Sequence, residues 1–369
     1  MIEYLAYIVL GFTLLRGLIA LLNLLFLERL PNSNEIKLPE KYYVSVLIPA
    51  RNEADNIGHL LSDIEKMGSE SICEVIVCDD QSEDSTAEVV AHYCARDTRF
   101  RLISSSTLPD GWLGKNHACH TLAMEAKGDF LLFLDADVRI EVGFVESVIA
   151  YIQRKQVDLL TLFPTQDMKT WAEKVSVPNM HIILLTLLFL PMVRLSKRVS
   201  LSAANGQCMV FRRNSYWKLR PHATYRHSRA EDIEIARYFK RSQYRVACLT
   251  GTKSIHCKMY SDWRGALEGF AKNVTYFFGH SNSYFVALLY WVITTLGILP
   301  IICTRSSFLL VGYISIIVLT RLFVSLTAQQ SPFFNILLML PQQLMLGAFI
   351  FKSWYNKRRR QFLWKGRAI

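Results

Sequence analysis

No two of the eight cysteines (73, 78, 94, 119, 208, 248, 257 and 303) stand in a C-x-x-C pair or at metal-ligand spacing. That excludes a zinc ribbon and a dithiol redox centre, and thiols scattered through apolar, strand-like runs point to a reducing compartment. The chain has no zinc knuckle and no RNA-binding signature, so its formal net charge of +11 is not read as a nucleic-acid footprint. It has no G-x-x-x-x-G-K-[ST] loop, no internal repeat and no low-complexity tract. Neither a basic start nor a small-residue cleavage site accompanies the first apolar stretch, which reads as an uncleaved anchor rather than a signal peptide.

What is present falls into two kinds of sequence. The 369 residues are 51% hydrophobic yet 20% charged. Apolar residues concentrate at 1–27 and beyond 284, whereas residues 28–280 have a soluble enzyme's mixture. About 20 residues at ~1.5 Å rise cross a ~30 Å hydrocarbon core, so residues 1–27 are long enough to span. Three further candidates lie at 284–303, 308–326 and 333–351, within a C-terminal membrane region of 284–351. Residues 182–193 are apolar but too short, and Pro191 interrupts them, so they read as an interfacial helix. Arg29, Lys37 and Lys41 follow the first segment, which places the soluble part on the cytoplasmic side of the cell membrane. Three later crossings would put the run Lys357-Arg358-Arg359-Arg360, in the basic tail 352–369, outside. Pro341-Gln342-Gln343 makes 333–351 the segment expected not to span, because amides are costly in lipid.

After a polar linker at 28–41, strand-like and helix-like runs alternate. Residues 43–48 are β-rich and end at Pro49; residues 55–67 have helical periodicity; 74–78 (EVIVC) ends in Asp79-Asp80; 130–134 (FLLFL) ends in Asp135-Ala136-Asp137. Continuous apolar runs bounded by turns indicate strands buried on both faces, hence an α/β fold with a mostly parallel sheet. Ligands of such sheets sit beyond the carboxyl ends of the strands, where all the polar clusters fall.

Asp135 and Asp137 can offer oxygens to Mg²⁺ or Mn²⁺ and leave positions for diphosphate and water. A divalent ion there offsets the charge developing on a leaving nucleoside diphosphate. Asp80 can accept the ring N–H of a pyrimidine, while Ser82 and Asp84 are read as caps of the next helix. Arg51 faces phosphate or makes a loop salt bridge, and small Ala50 lets the backbone approach a nucleotide. Lys115, opening a helix after Gly114, suits phosphate oxygens; Trp112 either stacks on a ligand or packs. Glu231-Asp232 is either a proton acceptor or an acidic first helical turn. His256 either completes the metal site or is a hydrogen-bonded structural histidine.

In order, VSVLIPARNE (44–53), VIVCDDQSED (75–84), GWLGKNHAC (111–119), FLLFLDADV (130–138), NGQCMVFRR (205–213) and AEDIEIAR (230–237) resemble glycosyltransferase family 2 with its Rossmann-like GT-A fold. The resemblance covers residues 42–280. With HCKMYSDWRGALEGFAKN (256–273) and the apolar tail, it is similar to the membrane branch that includes 4,4′-diaponeurosporenoate and hopene-associated glycosyltransferases. It implies that Pro49, Ala50, Arg51, Glu53, Asp80, Lys115, Asp135 and Ala136 bind the nucleotide-sugar, that Asp137 holds the metal and that Asp232 is the base of an inverting displacement. Q-x-x-R-W of processive synthases is absent, so one hexose, carried by UDP, is expected to move to a lipid or isoprenoid-type acceptor. The alternative is a nucleotidyltransferase acting on a sugar phosphate, against which the missing Gly-rich triphosphate loop counts.

Overall fold

The computed structural model describes residues 2–32, 41–260, 262–279 and 282–359, and the backbone at 363–364 and 367–368. Most of the expected linker, residues 33–40, and Arg360 of the basic run lie outside the described residues.

Ten strands carry the soluble part: β1 Val44–Ala50, β2 Ile72–Asp79, β3 Phe100–Ser104, β4 Phe130–Leu134, β5 Val138–Ile140, β6 Leu159–Leu162, β7 Thr165–Gln166, β8 Cys208–Arg212, β9 Val246–Leu249 and β10 Ile255–Cys257. Seven form one sheet in the order β3-β2-β1-β4-β8-β6-β9, parallel except for β8, which runs against both neighbours. A smaller sheet, β5-β10-β7, stands beside it. Because side chains alternate faces, Val44, Val46 and Ile48 enter one apolar core with helix Ala54–Met67, while Leu47, Ile76, Leu131 and Phe133 enter the other. Both faces are covered, as the continuous apolar runs require. β1 extends through Pro49 to Ala50, one residue beyond the proline that the sequence suggested as its end.

Two caps differ from expectation. Helix Thr86–Cys94 begins two residues after Asp84, whose Oδ1 accepts from Thr86 N at 3.0 Å. Ser82 does not cap this helix; its Oγ accepts from Asn52 N at 3.0 Å and so ties the β1 loop to the β2 loop. Loop-to-loop satisfaction outcompetes a local cap here because the two strand tips are adjacent.

Among the described residues three helices are long and apolar enough to cross a membrane: Ile2–Phe26, Ser283–Cys303 and Ser307–Thr327. Helix Met339–Arg359, which holds Pro341, Gln342 and Gln343, is not among them. The first and third pack closely, and a Cβ on Gly17 would come within 3.0 Å of Thr320 Oγ1, the close approach that small residues permit between membrane helices. Residues 182–193 are not one helix. Helix Pro178–Leu187 ends at Leu188, and Asn23 closes the break by donating to Leu185 O and Leu188 O and accepting from Leu190 N. Most of that helix is buried between the large sheet and the membrane helices. The turn after β9 docks on the third helix. Gly251, at φ +67°, lets its chain approach Thr327 O, and its own carbonyl accepts from Gln329 Nε2 at 2.8 Å.

Candidate functional site

The loops after β1, β4 and β6 and the start of helix Glu231–Arg241 surround one cavity of about 1130 Å³. Its polar end is lined by Pro49, Arg51, Glu53, Lys115, Asp135, Ala136, Asp137, Glu231 and Asp232. It is also lined by Met180, Ile183, Leu184 and Leu187 from helix Pro178–Leu187 and by Phe270 and Phe277.

Asp135 and Asp137 occupy the turn between β4 and β5. Asp135 N donates to Gln207 O at 3.1 Å and Val138 N to Asp135 O at 3.2 Å, which fixes the turn against β8. Strand alternation then brings Cys257, not its neighbour His256, to Asp137. Burial, then the Asp135 and Glu53 carboxylates, push the Asp137 carboxyl up to about 7. Its Oδ1 is buried without a hydrogen-bond partner, a costly arrangement for a carboxylate oxygen unless a cation or proton meets it. Among the described residues no group of three or more His, Cys, Asp or Glu side chains makes a metal cage. An oxygen pair with an orphaned member instead fits a hard divalent ion that draws its remaining ligands from phosphate and water.

Lys115 joins the two halves of the polar wall. Its Nζ lies 2.9 Å from Asp135 Oδ1 and 3.4 Å from Glu231 Oε1. Burial opposes the charge, but the Asp135 and Glu231 carboxylates dominate and hold the ammonium protonated well above its ordinary range. Burial likewise raises the Glu231 carboxyl, to about 7, against the pull of Lys115. Asp232 is held by two backbone donors, Gly206 N to Oδ2 at 3.1 Å and Ile233 N to Oδ1 at 2.8 Å. Burial raises its carboxyl despite both bonds. A side chain at 206 would crowd Lys115 Nζ at 3.2 Å and Glu231 Oε1 at 3.4 Å, so glycine keeps this junction tight.

Several expected residues sit elsewhere or act differently. His256 is not at the Asp135–Asp137 turn: its ring lies 3.5 Å from Glu141 and 3.7 Å from Asp167, on the face of β10 opposite Cys257. This is the structural-histidine alternative, and a one-residue parity decides it. Ala50 and Asp80 are buried behind the cavity wall; Asp80 N donates to Ala50 O at 2.8 Å and Asp80 Oδ1 accepts from Ser105 Oγ at 2.9 Å. Arg51 lines the cavity but braces the neighbouring loop, donating to Asp80 O at 2.6 Å and Gln81 O at 2.7 Å and pairing with Glu83. Trp112 packs on the rings of His117 and His120. Sequence reading named Glu231 only as Asp232's neighbour and gave Gly206 no role. Adjacency to Asp232 signalled the first, and nothing local signalled the second.

Residues 45–220 match the family described as Glycosyl transferase family 2. A 4,4′-diaponeurosporenoate glycosyltransferase of Staphylococcus haemolyticus is 27% identical over 237 residues, covering 63% of this chain and 60% of the relative. The enzyme of that name from Staphylococcus aureus strain USA300 is 35% identical over 133 residues, 35% of this chain and 34% of the relative. The chain thus aligns with less than two thirds of either relative's length. Among solved structures, the mannosyltransferase PcManGT from Pyrobaculum calidifontis, in complex with GDP-Man and Mn²⁺, superposes with a TM-score of 0.60 at 17% identity. That match covers 97% of this chain and all of the other. Residues 45–220, just under half of the chain, thus resemble glycosyl transferase family 2, and the chain is folded as a GT-A sheet with, among the described residues, three apolar helices beside it.

Proposed function

We propose that the protein is an inverting glycosyltransferase that moves a single hexose from a nucleoside-diphosphate sugar, a UDP-sugar in the first instance, to an isoprenoid-type lipid. The observation that carries this reading is the single cavity joining the acidic strand tips to an apolar wall beside the membrane helices. The relatives' name supplies the class of acceptor: a polyene carboxylate.

In this reading Pro49, Arg51 and Glu53 border the nucleotide, and the backbone of Ala136 lies along the sugar diphosphate. Ala50 and Asp80 support that pocket from behind. Mg²⁺ or Mn²⁺ held by Asp135 and Asp137 would offset the charge that develops on the departing diphosphate. Lys115 contributes a fixed positive charge at the same edge. Asp232, held by Gly206 and raised by burial, takes the proton from a hydroxyl acceptor, for which a base titrating nearer neutrality is better suited. Toward a carboxylate, already ionised near neutral pH, Asp232 aims the nucleophile and removes no proton.

Three spanning helices would put the soluble domain and the tail on one side. Helices Ile2–Phe26 and Ser307–Thr327 run in the same direction: Leu27 and Thr327 both border Gly251, while Thr320 and Ile316 border Gly17. Lys352, Lys357, Arg358 and Arg359 then share the cytoplasmic side with Arg29, in keeping with the positive-inside rule.

The test is purified protein in detergent with Mn²⁺, a panel of UDP- and GDP-hexoses, and extracted lipids supplemented with a polyene carboxylic acid. A lipid heavier by one hexose supports the proposal. Pyrophosphate released from a sugar phosphate and a nucleoside triphosphate, with no glycolipid, would move the assignment to a nucleotidyltransferase.

A further inference from the structure

His181 lines the cavity from helix Pro178–Leu187 yet is only 3% exposed, and its Nε2 is buried with no hydrogen-bond partner. Its other nitrogen, Nδ1, lies 3.2 Å from Gln330 Nε2. Which nitrogen carries the proton follows from a chain of buried side chains that begins at Arg321.

A guanidinium has donors only, so Gln342 must turn its Oε1 toward the Arg321 NH1 that bonds it. Gln342 Nε2 therefore faces outward and donates to Lys174 O at 2.9 Å and Asn335 Oδ1 at 3.2 Å. That orients Asn335, whose Nδ2 donates to Gln330 Oε1 at 2.9 Å and Ser325 Oγ at 2.9 Å. Gln330 in turn presents Nε2 to the imidazole, so His181 Nδ1 must accept. Burial lowers the ring's pKa to about 4, so it is neutral at ordinary pH. A neutral ring accepting at Nδ1 carries its proton on Nε2. Arg321, Gln342, Asn335 and Gln330 are all buried, so water does not scramble the order.

The outcome is one dry N–H donor in the otherwise apolar wall formed by Ile183, Leu184 and Leu187. Its ring packs edge-on against Phe163, centroids 5.7 Å apart. Phe163 is two residues beyond Thr161, whose hydroxyl accepts from Asn205 N at 2.8 Å. Asn205 precedes the Gly206 that holds Asp232, and Phe163, Asn205, Gly206 and Asp232 all line the same cavity as His181.

Resting on the lipid-acceptor reading above, we infer that His181 is a specificity-determining residue whose Nε2–H donates to an oxygen at the polar end of the acceptor. A chain lacking that oxygen would leave the N–H desolvated and unpaired, the kind of mismatch by which sites built for a polar group reject analogues.

The test uses the full chain in detergent and three measurements. Imidazole nitrogen NMR of the wild type, with His181 assigned by difference from His181→Gln, should show a protonated Nε2 and a bare Nδ1. A protonated Nδ1 would overturn the inference whatever the binding measurements show. Binding of oleyl alcohol is then compared with that of octadecene, a similar chain without oxygen. The wild type should prefer the alcohol by about tenfold or more, the scale of one buried unsatisfied donor. His181→Phe should lose that preference while its UDP and octadecene affinities stay within twofold. His181→Gln, which returns an N–H near the Nε2 position, should keep most of it. Equal binding of the two probes by the wild type, or an undiminished preference in His181→Phe, contradicts the inference. Neither probe needs sugar transfer, so a failed transfer assay beside a retained oxygen preference would sink the enzymatic reading alone.

Discussion

The backbone N–H of Gly206 donates to Asp232 Oδ2 at 3.1 Å, so the loop before β8, rather than Asp232's own helix alone, aims this carboxylate. Ile233 N occupies the other oxygen, leaving little rotational freedom. Asp232→Asn keeps the shape and removes the charge. With a hydroxyl acceptor the loss in kcat should be about 10²–10⁴-fold, the usual scale of general-base help. With a carboxylate acceptor it should be far smaller. Steady-state transfer rates on matched lipid alcohols and acids measure the difference.

Gly206→Ala tests the same junction without touching a charge. The added methyl would meet Lys115 Nζ and Glu231 Oε1 at 3.2 and 3.4 Å, so Lys115 must shift by tenths of an ångström. The expected result is a fall in kcat with donor KM little changed and thermal stability nearly intact. A fall in melting temperature that accounts for all lost activity would contradict it.

Lys115→Met should be severe. It removes the cation between Asp135 and Glu231 and leaves two facing carboxylates without their shared partner, a change that costs about 3–5 kcal/mol in a fully buried pair and less here, where Lys115 and Asp135 are partly exposed. Chemical denaturation should show the loss, and added Mn²⁺ should restore part of it.

The pH dependence of stability follows from Asp137. Its folded carboxyl, raised to about 7 from an ordinary 3.8, keeps a proton that the unfolded chain has already released. Metal-free protein therefore has this contribution in full below the unfolded value and loses it as pH rises through about 7. Bound Mn²⁺ replaces the proton, so the melting temperature should fall from pH 5 to pH 8 without metal and the stabilisation by metal should grow over the same interval. Asp137→Asn should flatten both trends.

Gly251→Ala tests how the soluble domain is held to the membrane helices. Its φ of +67° and the proximity of Thr327 O, 2.1 Å from where a Cβ would stand, leave no room for a side chain. The left-handed conformation alone costs about 1–2 kcal/mol for an L-residue, and the collision adds to it. Protease accessibility at the turn after β9 should rise while nucleotide binding persists.

The places of Asp135 and Asp137 at the tip of β4 were legible in the sequence, whereas Ala50 and Asp80, at the tips of β1 and β2, lie behind the cavity wall. FLLFL followed by Asp-Ala-Asp placed Asp135 and Asp137 at the cavity because a doubly buried strand must release its first polar residues at its tip. The same logic misplaced His256. Its strand was recognisable, but β10 joins the small sheet, and only the pairing of His256 with Arg139 and Thr165 fixes which face it takes. Ser82 was misread because its partner, Asn52, is 30 residues away. The path from Arg321 to His181 was illegible for the same reason: Arg321 and Gln342 lie on separate helices, and Gln330, in the turn between helices, reaches His181 across 149 residues. Pro341-Gln342-Gln343 did mark a segment unlike the three apolar helices, and Gln342 proves to be buried against polar protein groups.

On the reading proposed above, the orphaned Asp137 oxygen and its neighbour Asp135 take up a divalent cation together with a nucleotide. This uptake is tested most directly by electron paramagnetic resonance titration of free Mn²⁺ with the full-length protein, with and without UDP, in wild type and Asp137→Ala. The wild type should show one Mn²⁺ site that UDP tightens and that Asp137→Ala abolishes. Equal Mn²⁺ uptake by the two proteins in the presence of UDP would contradict it.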